Sequence, residues 1–472
     1  MQLAKSRLPA GETFLTRDRG FYTAFFRMLL GLALQNILTY SVNVADNLML
    51  GSYSQTVLAG AAAVNQIQYI LQQFTIMGLG QGLVILSSRL WGGRDTAGQQ
   101  RLLGAALLSG WGTGLLLTAA VSLWPRQVVE LFTSEAAVQQ EAVAYLDILR
   151  WTYLLFITTN LLLASLRSVQ LVTVAFRASL AALAVNVSIN YCLIFGRFGL
   201  PELGIRGAAV GTVTARCVEL AVVLFYLRRK DLPIRYSLRE IFRVGRRTVG
   251  TYWRVSVPCI VSALLFSCAT AVQTAIFGHI SEDAMAAASA SGTLFQYLKM
   301  VPTSAAAAAN VWIAKTIGGG DLRELRAYVR TLQMLFVSLG ALICLVLLVL
   351  RTPVLSLYAM TERARQYAMQ ILLVQALISV GMAYQMPCQL GIIHGGGDTR
   401  YSMISDIIYS WVYTVPLGLL AAFVWHWPVM AVALCLNSDQ ILKCLTVGIK
   451  TNRYTWIRVL TPAQGQERMN EQ

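Results

Sequence analysis

The sequence predicts an all-α integral membrane protein with twelve transmembrane helices in two pseudo-symmetric six-helix bundles around a central cleft. Three observations carry that expectation. The 472 residues are 56% hydrophobic and only 13% charged, with a mean hydropathy of +0.58, far from the usage of soluble domains. Twelve apolar runs are each long enough to cross a hydrocarbon layer of ~30 Å. The first six can be slid onto the last six at a shift of about 227 residues, the mark of an internal repeat.

In chain order the runs cover roughly 22 to 50, 57 to 88, 102 to 124, 144 to 166, 174 to 196 and 205 to 228 in the first half. The second half supplies 252 to 278, 284 to 314, 329 to 351, 366 to 393, 402 to 424 and 428 to 449. Runs this long and continuous do not suit barrel strands, whereas helices satisfy their backbone polar groups within the segment. The eighth is the weakest, because "AMAAASASGTLFQYLKMVPTSAAAAANVW" is alanine-rich and holds Lys299 and Pro302. Between the sixth and seventh lies the longest and most basic loop, "RRKDLPIRYSLREIFRVGRRTVG". It sets the expected boundaries: an amino-terminal bundle over 1–228, a basic cytoplasmic linker over 229–250, and a carboxy-terminal bundle over 251–472 ending in a short cytoplasmic tail.

A net charge of +16 raises the question of a nucleic-acid partner, and the placement of the charges answers it. With the amino terminus inside, 28 of the 38 Lys and Arg fall on the inner side and six on the outer; Arg150, Arg216, Lys299 and Lys443 fall within spans. That asymmetry is the positive-inside rule, so the charge reports topology. The expected partner is the lipid bilayer, with no nucleic acid, and the expected location is the cell (plasma or inner) membrane, multi-pass, with both termini cytoplasmic and no cleaved leader. All eight cysteines lie inside spans without a CxxC pair and read as small apolar packing residues.

At the 227-residue shift "GSYSQTVLAGAAAVNQIQYIL" lies on "GHISEDAMAAASASGTLFQYL", and Gly92-Gly93 fall on Gly319-Gly320. Six spans per copy keep both copies in one orientation, related by an axis along the membrane normal. Two bundles about a cleft suit alternating access, in which rigid halves rock around a site near the midplane. A channel or a membrane-embedded enzyme is compatible with the same plan.

The stretches "ADNLMLG…LAGAAAVNQI", "SSRLWGGRD", "YLDILRW…LLASLRS", "IFGRFGLPELGIRGAAVGT", "AKTIGGGDLRELRAYVR" and "GIIHGGGDTR" resemble the multidrug and toxic compound extrusion (MATE) transporters, within the wider superfamily of multidrug, oligosaccharide-lipid and polysaccharide flippases. The likeness covers nearly the whole chain. It implies twelve helices in two bundles that export amphipathic, often cationic, compounds in exchange for protons or sodium ions.

Polar residues inside the spans are where such chemistry would sit. Asp46 lies in the interior half of the first span, where an isolated carboxylate costs at least ~2.5 to 3.5 kcal/mol. Thr39, Asn43 and Asp46 share a helix face by their spacings of four and three. The fifth span adds Asn186 and Asn190 at i, i+4, and the sixth adds Thr212. Such oxygens suit a hard cation or a carboxyl that is protonated and released in turn. The resemblance implies that Asp46, Asn186, Asn190 and Thr212 form the cation site, with Asn43 beside them. The competing reading of the asparagines, as helix-to-helix bonds only, is the weaker of the two.

At the repeat shift Asp46 lands on Gln273, so ion coupling is expected in the first half alone. Tyr40, Gln68, Gln72, Gln273, Lys299, Met382, Gln385 and Trp411 are the candidates for a substrate cleft, where methionine and aromatics accommodate varied ligands. Lys299 there would repel cations or serve as counter-charge to an anionic or zwitterionic compound, unless it pairs with an acid elsewhere. Asp439 with Lys443, and Arg216 with Glu219, read as neutralising pairs, and Asp406 as a solvated helix end.

Catalytic readings find little. "HGGGD" at His394 has no GxSxG partner, there is no Walker A sequence, and the three histidines lack metal-ligand spacing. The expectation is therefore a non-enzymatic secondary antiporter for a small-molecule substrate, with no cofactor, no metal beyond Na+ at Asp46, H+ as the other coupling ion, and function as a monomer. The alternative is a flippase for a lipid-linked saccharide or other lipid-like substrate, which would want several basic groups in the cleft; the chain offers Lys299 and Arg216.

Overall fold

The computed structural model describes residues 15–133, 135–228, 236–320, 324–356 and 360–458. The first part of the predicted linker, the predicted tail beyond residue 458 and Asp321 of the second glycine-rich turn lie outside the described residues. The described chain is helical, with no strand among the described residues.

Twelve long elements follow the twelve apolar runs. In the first repeat they are α1 (Arg19–Tyr53), α2 (Gln55–Gly92), α3 (Thr96–Leu123), α4 (Ala136–Leu149 and Thr152–Ser168, bent by 53°), α5 (Thr173–Ile194) and α6 (Ile205–Leu227). In the second they are α7 (Arg246–Ile280), α8 (Glu282–Gly319), α9 (Leu325–Leu355), α10 (Glu362–Ile393), α11 (Thr399–Val424) and α12 (Val429–Asn452). Ten of these are long and apolar enough to cross a membrane, and bent α4 makes an eleventh. α8 has the length but not the apolarity, because Gln296, Lys299, Asn310, Lys315 and several Ser and Thr interrupt its alanines. Those alanines have a packing use: Ala305, Ala306, Ala308 and Ala309 are buried, and small side chains let membrane helices approach closely.

The two copies interrupt their second helices differently. Residues Gln73–Gly80 of α2 wind as a π-helix, whereas the repeat shift brings the same stretch of α8 onto Pro302. Either device frees backbone groups and bends a helix. The glycines of the loop after α2 are also used for packing. A Cβ on Gly92 would fall 2.0 Å from the Lys315 carbonyl oxygen, and one on Gly318 would fall 2.0 Å from that of Arg89, so α2 and α8 touch backbone to backbone at this crossing. The tight turn itself falls to Gly320, whose φ of 77° ends α8. In the first copy Asp95 starts α3, its Oδ1 accepting from the Gly98 amide at 2.8 Å.

The described contacts divide the chain into two compact units. One holds Leu30–Ser87 and Asp95–Ser256; the other holds the chain up to Leu29, Ser88–Arg94 and everything from Val257 on. They are called the amino-terminal and carboxy-terminal units below. Inside the first, α4 is the central helix, packed by α2, α3 and α6, with α5 laid against α6. Inside the second, α10 takes the place of α4, packed by α8, α9 and α12. The repeat seen in the sequence is thus a repeat of packing. Just outside the spans, Tyr236 docks the descending linker by a 3.0 Å hydrogen bond to Ser165, and burial pushes its hydroxyl up to about 12.

Candidate functional site

In the amino-terminal unit, α1, α5 and α6 bring the predicted polar residues together. Asn190 Nδ2 donates to Asp46 Oδ1 at 2.5 Å and also approaches Asn186 Oδ1 at 3.3 Å. Both asparagines are buried, at 0% and 1% exposure, while Asp46 is half-buried. Among the described residues the Asn190 Oδ1 has no hydrogen-bond partner, while the Asn186 side chain also bonds towards Asp46. Buried polar groups are normally satisfied, so the Asn190 oxygen is spare capacity beside a carboxylate. A cavity on the same helices is lined by Thr39, Val42, Ser179, Asn186, Thr212 and Arg216, among others.

Arg216 is charged and lines this cavity together with Glu219. Its Nη1 donates to Glu219 at 2.7 Å, the pairing expected from the sequence, and its guanidinium lies 5.0 Å over the Phe156 ring. Its charge is close enough to act on Asp46. Asn43 stands apart: although it shares a sequence face with Thr39 and Asp46, it is exposed. Its neighbour Val42 lines the cavity instead.

Gly211 is the residue that sequence reasoning missed. A Cβ there would lie 2.0 Å from Asn190 Oδ1, so any larger residue would displace the Asn190 carboxamide from its present place. Gly207, one turn earlier, meets the α5 backbone at Leu193 in the same way. The pair forms a small-xxx-small spacing, "GAAVG", which is the signal for close helix crossing in a membrane and was legible.

The substrate-cleft candidates divide. Lys299 rests its Nζ 4.6 Å over the Phe266 ring. Gln273 Nε2 donates to the Leu436 carbonyl at 3.3 Å, and Trp411 Nε1 to that of Leu265 at 3.1 Å. Tyr40, Gln68 and Gln72 on the other unit are half-buried. Met382 and Gln385 require correction: at 2% and 5% exposure they are packed inside the carboxy-terminal unit, because α10 is its central helix. Gln385 spends its amide on Gln440 Oε1 at 2.8 Å.

Asp406 also departs from expectation. It is 8% exposed, and Lys443 bonds it at 3.1 Å while holding Asp439 at 3.2 Å. Gln389 Nε2 adds a bond at 3.3 Å and the Ser262 hydroxyl another. The expected Asp439–Lys443 pair is therefore part of a larger cluster that joins α7, α10, α11 and α12.

Two six-helix copies, with ionisable groups held inside the spans by carboxamides and hydroxyls, define a membrane transporter. The chain belongs to the MatE family: the family's model matches residues 32–192 and 258–420, one match per repeat. It is 27% identical over 410 residues to the probable multidrug resistance protein NorM of Rhizobium meliloti, covering 83% of this chain and 86% of that one. It is 24% identical over 398 residues to the multidrug resistance protein MdtK of Pectobacterium atrosepticum, covering 81% and 83%. A variant of the Vibrio cholerae MATE transporter VcmN shares the fold with a TM-score of 0.84 at 16% identity, over 93% of this chain and 99% of that one. A MOP superfamily transporter from Pyrococcus furiosus does so with 0.83 at 16% identity, over 93% and 97%.

Proposed function

We propose that the chain is a secondary antiporter that exports amphipathic small molecules, drugs among them, in exchange for H+ or Na+ by alternating access, working as a monomer in the cell membrane with both termini cytoplasmic. The observation that carries this reading is Asp46, a carboxylate inside a span, bonded by the buried Asn190, whose own oxygen has no partner among the described residues, with the buried Asn186 beside it. The names of the relatives, multidrug resistance proteins, support the substrate class.

The physical logic is competition. An ion at Asp46 draws Asn186 and Asn190 to its oxygens and favours one arrangement of α1 against α5; the empty, charged carboxylate favours another. Exchange follows if substrate prefers the second arrangement, since each ligand then drives the other off. The test uses the full chain in vesicles, with proton and sodium gradients imposed separately and ethidium as the transported probe. Asp46→Asn should insert and bind ethidium but lose at least ~10-fold of gradient-driven efflux, a loss of coupling worth about 1.4 kcal/mol or more. Full gradient-driven efflux by that variant would take Asp46 out of the mechanism.

A further inference from the structure

The second helices of the two repeats, α2 and α8, bury the same positions. At the 227-residue shift the buried Val57, Gly60, Ala63 and Val64 of α2 fall on the buried Ala284, Ala287, Ala290 and Ser291 of α8, so the faces left uncovered correspond as well. Both of those faces are polar. α2 exposes Gln66 and Tyr69 and leaves Gln72 half-buried; the same places on α8 hold Thr293 and Gln296, both exposed, and Lys299, half-buried. With Ser289 and Thr303 the polar stripe on α8 has spacings of four, three, three and four, which keep it on one side of the helix.

A polar stripe left open along a span faces water rather than hydrocarbon, because lipid cannot satisfy its hydrogen bonds. This one carries a charge. Lys299 is the eighteenth of the 38 residues of α8, close to the middle of the span, and the stripe contains no acid. Lys443 shows the other way this unit keeps an interior ammonium, bonded to Asp406 at 3.1 Å and to Asp439 at 3.2 Å. Lys299 forms neither a hydrogen bond nor an ion pair among the described residues. Its Nζ lies 4.6 Å over the Phe266 ring of α7 instead, a contact that steadies a cation by the π face and leaves its N–H groups without acceptors.

The repeat shows that the helix does not need this charge, since Gln72 fills the same place in α2 with a neutral amide. An ammonium in a span that the packing does not require and no acid neutralises marks a place for a ligand. The surroundings specify which ligand. Gln296, one turn before Lys299 and exposed, adds amide N–H donors on the same side. Phe266 offers an aromatic face, and Trp411 is fixed at the adjoining residue of α7 by its 3.1 Å bond to the Leu265 carbonyl.

We propose that Lys299 is the anion-binding residue of the substrate site, and that the chain accepts amphipaths whose aromatic body carries a single carboxylate. The two carboxylate oxygens take the Lys299 ammonium and a Gln296 amide as donors, and the aromatic body lies against Phe266. One ammonium among neutral groups matches one negative charge, whereas a diphosphate would keep charge uncompensated. The inference deepens the antiporter reading and rests on it for export alone, because binding needs no gradient.

The test uses rhodamine B, a zwitterion with a free carboxylate, and its ethyl ester, a cation of nearly the same shape. Equilibrium binding to the detergent-solubilised full chain, read by fluorescence anisotropy, should favour rhodamine B by ~10-fold or more, as a hydrogen bond to a charged group does. Lys299→Gln, which gives α8 the side chain that α2 has at this place, should abolish the preference while the ester binds as before. Lys299→Arg should keep it, because the charge and the donors remain. Equal binding of the two dyes by the unaltered chain, or a preference that survives Lys299→Gln, overturns the proposal. Loss of both dyes alike in Lys299→Gln overturns it too, since the lysine would then be supporting the helix and not the anion. Vesicles with imposed gradients separate this result from the antiporter reading. A Lys299-dependent preference with no gradient-driven export of either dye leaves the anion site standing and removes the antiporter; gradient-driven export without that preference does the reverse.

Discussion

The two repeats share a packing plan and differ in where they keep their charge. Around Asp46, the first repeat sets a half-buried carboxylate among neutral amides, and Arg216 on the same cavity is bonded to the buried Glu219. Around Lys443, the second repeat buries two carboxylates on one ammonium. The first arrangement leaves an acid whose partners do not fix its charge, which suits a group that changes state during a cycle. The second would be costly to disturb, because removing one member exposes the others to a low-dielectric interior. A duplicated fold can therefore keep its helices in place while its ionisable groups migrate between them.

The largest expected effect breaks the second arrangement. Lys443→Met leaves two carboxylates without their cation and should cost about 3 to 5 kcal/mol of stability, read as a fall in the thermal or denaturant midpoint of the detergent-solubilised protein. Replacing both acids as well, in the triple variant Asp406→Asn, Asp439→Asn and Lys443→Met, should return most of that stability, since a buried ionic cluster is often no more stabilising than a neutral one. A triple variant as unstable as the single one would mean that Lys443 matters through packing and not through charge.

A smaller effect probes the first arrangement through its glycine. Gly211→Val forces a branched side chain against Asn190, and overpacking of this kind costs about 1 to 3 kcal/mol. The stability loss is less informative than its companion: Asn190 would be pushed from Asp46, so gradient-driven ethidium efflux should fall nearly as far as in Asp46→Asn. Gly207→Val separates the two, because it opens the same helix crossing at Leu193 without touching the asparagine. Equal losses of coupling from both glycines would place the effect in helix separation rather than at the site.

What the sequence showed, and what it hid, follows the same division. The twelve helices were legible because bilayer thickness imposes a length that few other constraints mimic, and the duplication was legible because glycine turns and small residues recurred at one shift. Asp46, Asn186 and Asn190 stand out in the sequence because polar groups in lipid are rare enough to mark themselves, and the fold brings the three side chains together. The cluster around Lys443 was only half seen. Asp439 and Lys443 are four apart on one helix and announce each other, but Asp406 comes from another helix, and nothing in its local sequence says that a turn inside the span is covered by α7 and α10. Met382 and Gln385 failed for the converse reason: composition marks a residue as suited to a cleft, while only packing shows that their side of α10 is buried within the unit.

The smallest expected effect sharpens the comparison at the edge of the first site. Asn43 has the composition of a site residue and the spacing of one, yet it is exposed, whereas Asn190 is buried and bonded to the carboxylate. If position in the structure decides the role, Asn43→Ala should change stability by less than about 0.5 kcal/mol, as exposed substitutions do, and leave gradient-driven efflux intact. Asn190→Ala should lose coupling although its bond is worth only ~0.6 kcal/mol in a membrane, because what it removes is the group that responds to the state of Asp46. Loss of coupling in Asn43→Ala would instead show that α1 turns during the cycle and brings its outer face inward, making the face shared by Thr39, Asn43 and Asp46 a property of a second conformation.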